Sequence, residues 1–200
     1  MDGRCERPPI NPQQEVSPEV SNRSLIVVDL ETTGLNPTIH KILEVAAINT
    51  ATDEVLHFAP NIDHPDLGLA DGYAMQVNRY YERGVWKNML TVGASVEQYS
   101  RLADMVRGNT LAGCNPRFDA DFLVQQAPNS IFDPEPWHHR LADLEAYAAG
   151  ALGIAPHELV GLGDICSRLD VDPGVAHSAL DDAKATAECF RRLTALKGVK

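Results

Sequence analysis

The chain has 200 residues, 44 % of them apolar, and a formal net charge of −11 from 17 basic and 28 acidic side chains. That length suits a single α/β domain with a sizeable core, and no apolar run approaches the roughly 18 residues a transmembrane helix needs, so no membrane association and a cytoplasmic location are expected. The acid excess argues against a broadly basic surface of the kind that grips duplex nucleic acid and reads first as solubility.

Residues 1–22 contain Pro8, Pro9, Pro12 and Pro18 with few large apolar side chains. Such a segment buries too little surface to offset the entropy of ordering, and a flexible Pro-rich tail is expected, too polar for a signal peptide. A single domain is expected over residues 23–200. It opens with Leu25-Ile26-Val27-Val28-Asp29-Leu30-Glu31, a short β-branched apolar run that reads as a buried central strand. Thr32-Thr33-Gly34-Leu35-Asn36-Pro37 breaks it. Residues 42–48 and 55–58 read as two further strands, and the short connection at Thr52-Asp53 implies an antiparallel meander.

Residues 60–90 read as loop with a short helix. From Val96 to Val106 helical spacing puts Tyr99, Leu102, Ala103 and Val106 on one face. Residues 110–114 read as a fourth strand, 118–126 as a helix, and 137–144 as a fifth strand entering a helix over 144–152. A short helix follows at 161–169 and a long one at 178–196, whose inward stripe is Leu180, Ala183, Ala187 and Phe190. Three strands followed by alternating strands and helices imply an α/β fold, a mixed sheet with helices on its faces. Cys5, Cys114, Cys166 and Cys189 form no CxxC pair and have no zinc-finger spacing. They read as free thiols, the last three as buried small apolar residues. Adjacent His138 and His139 would face opposite ways on a strand, which argues against a shared metal.

Three places carry chemistry. Asp29 and Glu31 lie two apart on a strand, so both carboxylates point to one face. Two acids on an otherwise apolar strand repel and lose hydration unless a cation sits between them, and hard carboxylate oxygens suit Mg²⁺ or Mn²⁺. An acid capping the turn is the simpler alternative for one of them. Asp119 falls near a helix start, where exposed N–H groups favour an acid. Asp182 lies about one turn into the last helix beside its apolar stripe, and His177 precedes that helix. Imidazole titrates near neutral pH, which suits a general base. An α/β sheet can bring these places to one edge, where four carboxylates hold two metals about 4 Å apart for in-line phosphoryl displacement.

The segments Asp29-Leu30-Glu31-Thr32-Thr33-Gly34, Asn115-Pro116-Arg117-Phe118-Asp119 and His177-Ser178-Ala179-Leu180-Asp181-Asp182 resemble the three motifs of the DEDDh (DnaQ-like) 3′→5′ exonuclease superfamily, which includes the proofreading epsilon subunit of bacterial replicative polymerase. The histidine spacing, H-x₄-D, separates this sequence from the tyrosine branch. The resemblance implies an RNase H-like fold with a five-stranded mixed sheet and two divalent cations, Mg²⁺ or Mn²⁺. It implies that Asp29 contacts both metals, that Glu31 and Asp182 hold the one that activates water, that Asp119 holds the second, and that His177 is the general base. Thr32, Thr33 and Gly34 match the turn whose backbone cradles the terminal nucleotide; Asn115 and Phe118 match positions lining the substrate groove. The implied reaction is release of nucleoside 5′-monophosphates from single-stranded DNA 3′ ends. Net charge acts mainly on association rate and non-specific affinity, so it does not oppose this reading.

Residues 60–90 lack the family's substrate-loop pattern. The chain stops at Lys200 without the epsilon subunit's polymerase-binding tail, so a stand-alone repair or phage-like enzyme is expected over a proofreading subunit. The rivals are an RNA-trimming enzyme resembling RNase T or oligoribonuclease, a non-catalytic binding module with the same fold, and an endonuclease of the ribonuclease H type. The intact acid set speaks against the binding module, and His177 against the endonuclease.

Overall fold

Strand β1 (Leu25–Thr32) forms because its β-branched residues fit a sheet covered on both sides, and Ile26, Val27 and Val28 are fully buried. In the computed structural model, which describes residues 23–196, β1 lies at the centre of a five-stranded sheet of order β3-β2-β1-β4-β5. β2 (Ile42–Asn49) and β3 (Val55–Phe58) continue antiparallel from it, while β4 (Thr110–Gly113) and β5 (Ala142–Asp143) pair in parallel. The meander and the mixed sheet are as the sequence implies. The tail over residues 1–22, with Cys5, lies outside the described residues.

Alternation along β1 sends Ile26, Val28 and Leu30 to one face and Val27, Asp29 and Glu31 to the other. The first face is sealed by α3 (Val92–Val106) and α4 (Pro116–Gln126), with Tyr99, Leu102, Phe122, Leu123 and Phe132 in one apolar cluster. Rings interlock there: Phe58 meets Tyr99 edge-on at 5.1 Å, and Phe132 lies 5.8 Å from Trp137. The second face is covered by α5 (Leu144–Leu152), α6 (Leu162–Leu169) and α7 (Ala179–Leu196) around Val27, Ile48, Ile165 and Leu193.

Several boundaries differ from expectation. α3 starts four residues before Val96, because Thr91 caps it by accepting from the Ala94 N–H. The region after β3 holds two short helices, α1 (His64–Leu67) and α2 (Gly72–Asn78), and a 3-10 turn at Val85–Asn88. The fifth strand is only two residues long, because Asp143 turns at once into the N-cap of α5, accepting from the Glu145 and Ala146 amides. His138 and His139 are therefore off any strand and their rings lie 4.1 Å apart. Leu180 is half-buried, and the inward stripe of α7 runs instead through Ala179, Ala183, Thr186, Ala187, Phe190 and Leu193. Cys166 and Cys189 are buried with sulfurs 3.7 Å apart, whereas Cys114 is only half-buried and its thiol donates to Glu145.

Candidate active site

β1 runs past the end of β4, which stops at Gly113. The turn into α4 packs directly on β1 there: a side chain at Gly113 would put its Cβ 3.0 Å from the Val28 carbonyl oxygen and 3.4 Å from Pro116. Asn115 takes a left-handed conformation (φ 61°) and Pro116 starts the helix, where its missing N–H costs nothing. This places Asp119, buried in the first turn of α4, against Asp29. Burial pushes the Asp119 carboxyl well above the ordinary range, although its own amide and that of Leu30 work in the opposite direction. Burial does the same to Asp29, reinforced by the charges of Asp119, Glu31 and Asp182.

The third segment arrives from the other side of β1. His177 is exposed and left-handed (φ 59°), and its backbone N–H donates to Asp182 Oδ2 at 2.9 Å. That bond folds the segment before α7 back over the helix start and aims the half-buried Asp182 at β1. Ligand atoms of Glu31, His177 and Asp182 lie within 4.8 Å of one another. Burial and the Asp182 charge raise Glu31 to about 8, against the opposing charge of Arg83. Asp182 is raised by burial too, with its bond to the His177 amide opposing.

Glu31, His177 and Asp182 thus form one cluster at the open end of β1, and Asp29 and Asp119 lie close enough for their charges to act on it and on each other. Four carboxylates are the donors that suit a hard divalent cation. The raised acids are the physical sign of a fit, because a cation between them would remove the repulsion and let them ionise.

The remaining sequence-derived positions divide. Phe118 is half-buried and lines a cleft of about 530 Å³ beside Glu31 and Thr32, with Leu35, Tyr73, Val77 and Asn78 as other walls. Leu35 and Tyr73 are 81 % and 76 % exposed and present apolar surface at the rim of the cleft. Asn115 is exposed on the turn before α4, outside the lining of this cleft. The peptide groups of Thr33 are committed within the protein: its N–H donates to Lys41, and its carbonyl accepts from Asp71. The Thr33 hydroxyl accepts from the Lys41 N–H. Thr33 therefore fixes the turn. The Thr32 hydroxyl donates to the Gly34 carbonyl. A side chain on Gly34 would collide with the His40 ring, its Cβ only 2.5 Å from Cε1.

Sequence reasoning missed a buried polar group next to the acids. Glu44 stands opposite Glu31 in the β1–β2 register and is 3 % exposed. It is bonded by His57 Nε2 at 2.8 Å and by Arg83 Nη2 at 2.5 Å. Burial pushes Glu44 up, but these two hydrogen bonds outweigh it and hold the carboxyl below its ordinary range. The sequence signal was an acid inside an otherwise apolar seven-residue strand run, which alone does not name its partners.

The exonuclease family model (RNase_T) matches residues 26–190. Ribonuclease T of Escherichia coli K12 is 28 % identical over 179 residues, covering 82 % of this chain and 81 % of that protein. A PolC-type DNA polymerase III of Thermotoga petrophila is 25 % identical over 175 residues, which span 86 % of this chain but only 12 % of the polymerase. A product-bound exonuclease I structure superimposes with a TM-score of 0.64 at 18 % identity, over 88 % of this chain and 44 % of that one. Among the described residues no helix is long and apolar enough to cross a membrane.

Proposed function

The chain belongs to the exonuclease family, and from that premise we propose that it is a divalent-metal-dependent 3′→5′ exonuclease acting on single-stranded DNA and releasing nucleoside 5′-monophosphates. The observation that carries this is the cluster of Glu31, Asp182 and His177 at the end of β1 with Asp29 and Asp119 beside it, all four acids raised by burial and by neighbouring acids.

Asp29, Glu31, Asp119 and Asp182 are the residues that would hold the cations, two Mg²⁺ or Mn²⁺. When bound, such ions supply charge neutralisation at the phosphate and a more acidic water. The protein's own groups do the rest. His177, exposed on its left-handed stem, takes the proton from the attacking water. The cleft between Tyr73, Leu35 and Phe118 takes the terminal base by stacking, which every base permits and which therefore sets no sequence preference. The turn fixed by Thr33 and Gly34 holds the sugar end, with Asn115 at the outer edge of the groove. A single strand is favoured because stacking in this cleft needs an unpaired base. Solved structures of exonuclease I that superimpose on this chain include one complexed with a dT13 oligonucleotide, which supports the DNA reading (TM-score 0.64, 19 % identity).

A second reading, trimming of RNA 3′ ends, is favoured by the ribonuclease T relatives, which match over most of their own length. A time course on 5′-labelled single-stranded DNA and RNA with Mg²⁺ or Mn²⁺ decides between them. A one-nucleotide ladder on either strand is expected, and the faster strand names the substrate. Cleavage at internal positions, or none with either metal, would end the exonuclease reading. The proofreading and repair roles separate by whether a polymerase co-purifies with the chain.

A further inference from the structure

Arg83 is the most buried cation in any ion pair among the described residues, with its side chain 13 % exposed. It is fastened at two corners. Nε donates to the Asn78 carbonyl at 2.8 Å, and Nη2 donates to Glu44. Both anchors are themselves tied to the active-site strand. The Asn78 side chain donates to the Thr32 carbonyl at 3.0 Å, and Glu44 stands across the ladder from Glu31. His57 holds the other carboxylate oxygen of Glu44. An arginine carries five N–H donors in a rigid plane. These two bonds use two of them, leaving the rest of the fork for a further acceptor. Held through Glu44 and Asn78, the head lies one strand away from Glu31 and is largely withdrawn from solvent.

Arg83 is the counter-ion of Glu44, yet that single bond leaves most of its fork unused, and an apolar residue at position 44 would have avoided burying an acid at all. What Glu44, His57 and Asn78 accomplish together is to hold one guanidinium rigid at the edge of an acidic centre, in a protein of net charge −11. We propose that Arg83 is a phosphate-binding residue of the active site, its free N–H groups gripping a non-bridging oxygen of the terminal phosphate, with Glu44 as the positioning residue that fixes it. The inference rests on the exonuclease reading and adds a contact outside the three motifs. A preorganised cation aimed at a phosphate costs no rearrangement when the substrate arrives and strengthens as charge develops.

The test uses thymidine 5′-monophosphate as probe, with thymidine as its phosphate-free control. Binding of each is measured by calorimetry with Ca²⁺ present, on the wild type, on Arg83→Lys, and on the double variant Arg83→Met with Glu44→Gln. The double variant leaves no buried charge unpaired, so it keeps the test open if single variants misfold. The monophosphate is expected to bind the double variant at least about tenfold more weakly, while thymidine binds both proteins alike. Arg83→Lys should fall between, because a lysine keeps the charge and loses the planar fork. Mn²⁺ affinity should hold or rise, since a neighbouring positive charge has gone. Equal monophosphate affinity in wild type and double variant, or a parallel loss of thymidine, would overturn the assignment. A wild type that binds the monophosphate through Arg83 yet cuts no strand would leave the phosphate contact standing and end the exonuclease reading. A wild type that binds neither probe would overturn both.

Discussion

The two faces of β1 are built from alternate residues of one strand and end in opposite states. Toward α3 and α4 the strand presents Ile26, Val28 and Leu30, all buried in an aromatic-rich cluster. Toward α7 it starts the same way, with Val27 against Ile48 and Ala112, but then presents Asp29 and Glu31. The first face is stable because apolar contacts seal it to its end. The second is sealed only where α7 and α6 cover it, and beyond that it holds acids whose ionisation the fold opposes. Stability and chemistry are thus separated by the period of a strand, and substitutions on the two faces should fail in different ways.

The largest contrast is expected from Asp119→Ala. Cleavage of single-stranded DNA should fall about 10³-fold or more, since a cation's contribution of several kcal/mol goes with its ligand. The metal-free variant should melt no lower than wild type, because removing the acid removes the burial that disfavours its charged form. Near-normal turnover in a gel time course would break the assignment of Asp119 as a ligand.

His177→Ala should lower the rate about 10²-fold or more at neutral pH, the range for loss of a general base. Mn²⁺ affinity by calorimetry should change much less. Because His177 lies within 4.8 Å of the Glu31 and Asp182 ligand atoms, an equal loss of metal binding would reassign it as a ligand.

On the apolar face, Phe122→Ala should behave in the reverse manner. Phe122 is fully buried and lies 4.8 Å from Phe118, so its loss should cost about 3–5 kcal/mol in urea unfolding. Mn²⁺ affinity of the folded fraction should be retained. A collapse of metal binding at unchanged stability would show that the two faces are not separable.

The smallest expected effect is a pH dependence. Glu31 has a folded-state pKa of about 8 against an ordinary 4.5, so the metal-free folded state holds more protons than the unfolded chain between those values. Stability from this group is therefore lost as pH rises from about 4.5 to about 8. A divalent cation should cancel the trend, because it favours the ionised form. Thermal melts at pH 6 and pH 8 with and without Mg²⁺ would check it, and a metal-free protein that gains stability from this group toward pH 8 would contradict the sign.

Most of the frame was legible in the chain because it is encoded locally. The apolar run before Asp29, the break at Gly34 and the spacing of Tyr99, Leu102, Ala103 and Val106 each fix an element through near neighbours. Asp29 and Glu31 were legible for a different reason: acids on a buried strand contradict their surroundings, whereas Asp119, Asp182 and His177 stood out only together and through the resemblance of their segments to known motifs. Element ends were less legible. The start of α3 depends on one hydroxyl of Thr91, and the shortness of β5 on Asp143 turning inward to cap α5.

By itself the sequence determined the strand order's beginning, the inward face of α3 and the pair Asp29 and Glu31 on one strand face, since periodicity and residue chemistry are properties of short stretches. Only the tertiary structure decided which acids are buried, that Asp119 meets Asp29 across a turn packed through Gly113, and that Thr33 is spent on its own loop. It alone brought Arg83 to Glu44, 39 residues away in sequence, through the β1–β2 ladder and the helix after β3. Burial and charge coupling are sums over groups distant in the chain, and no local pattern carries them.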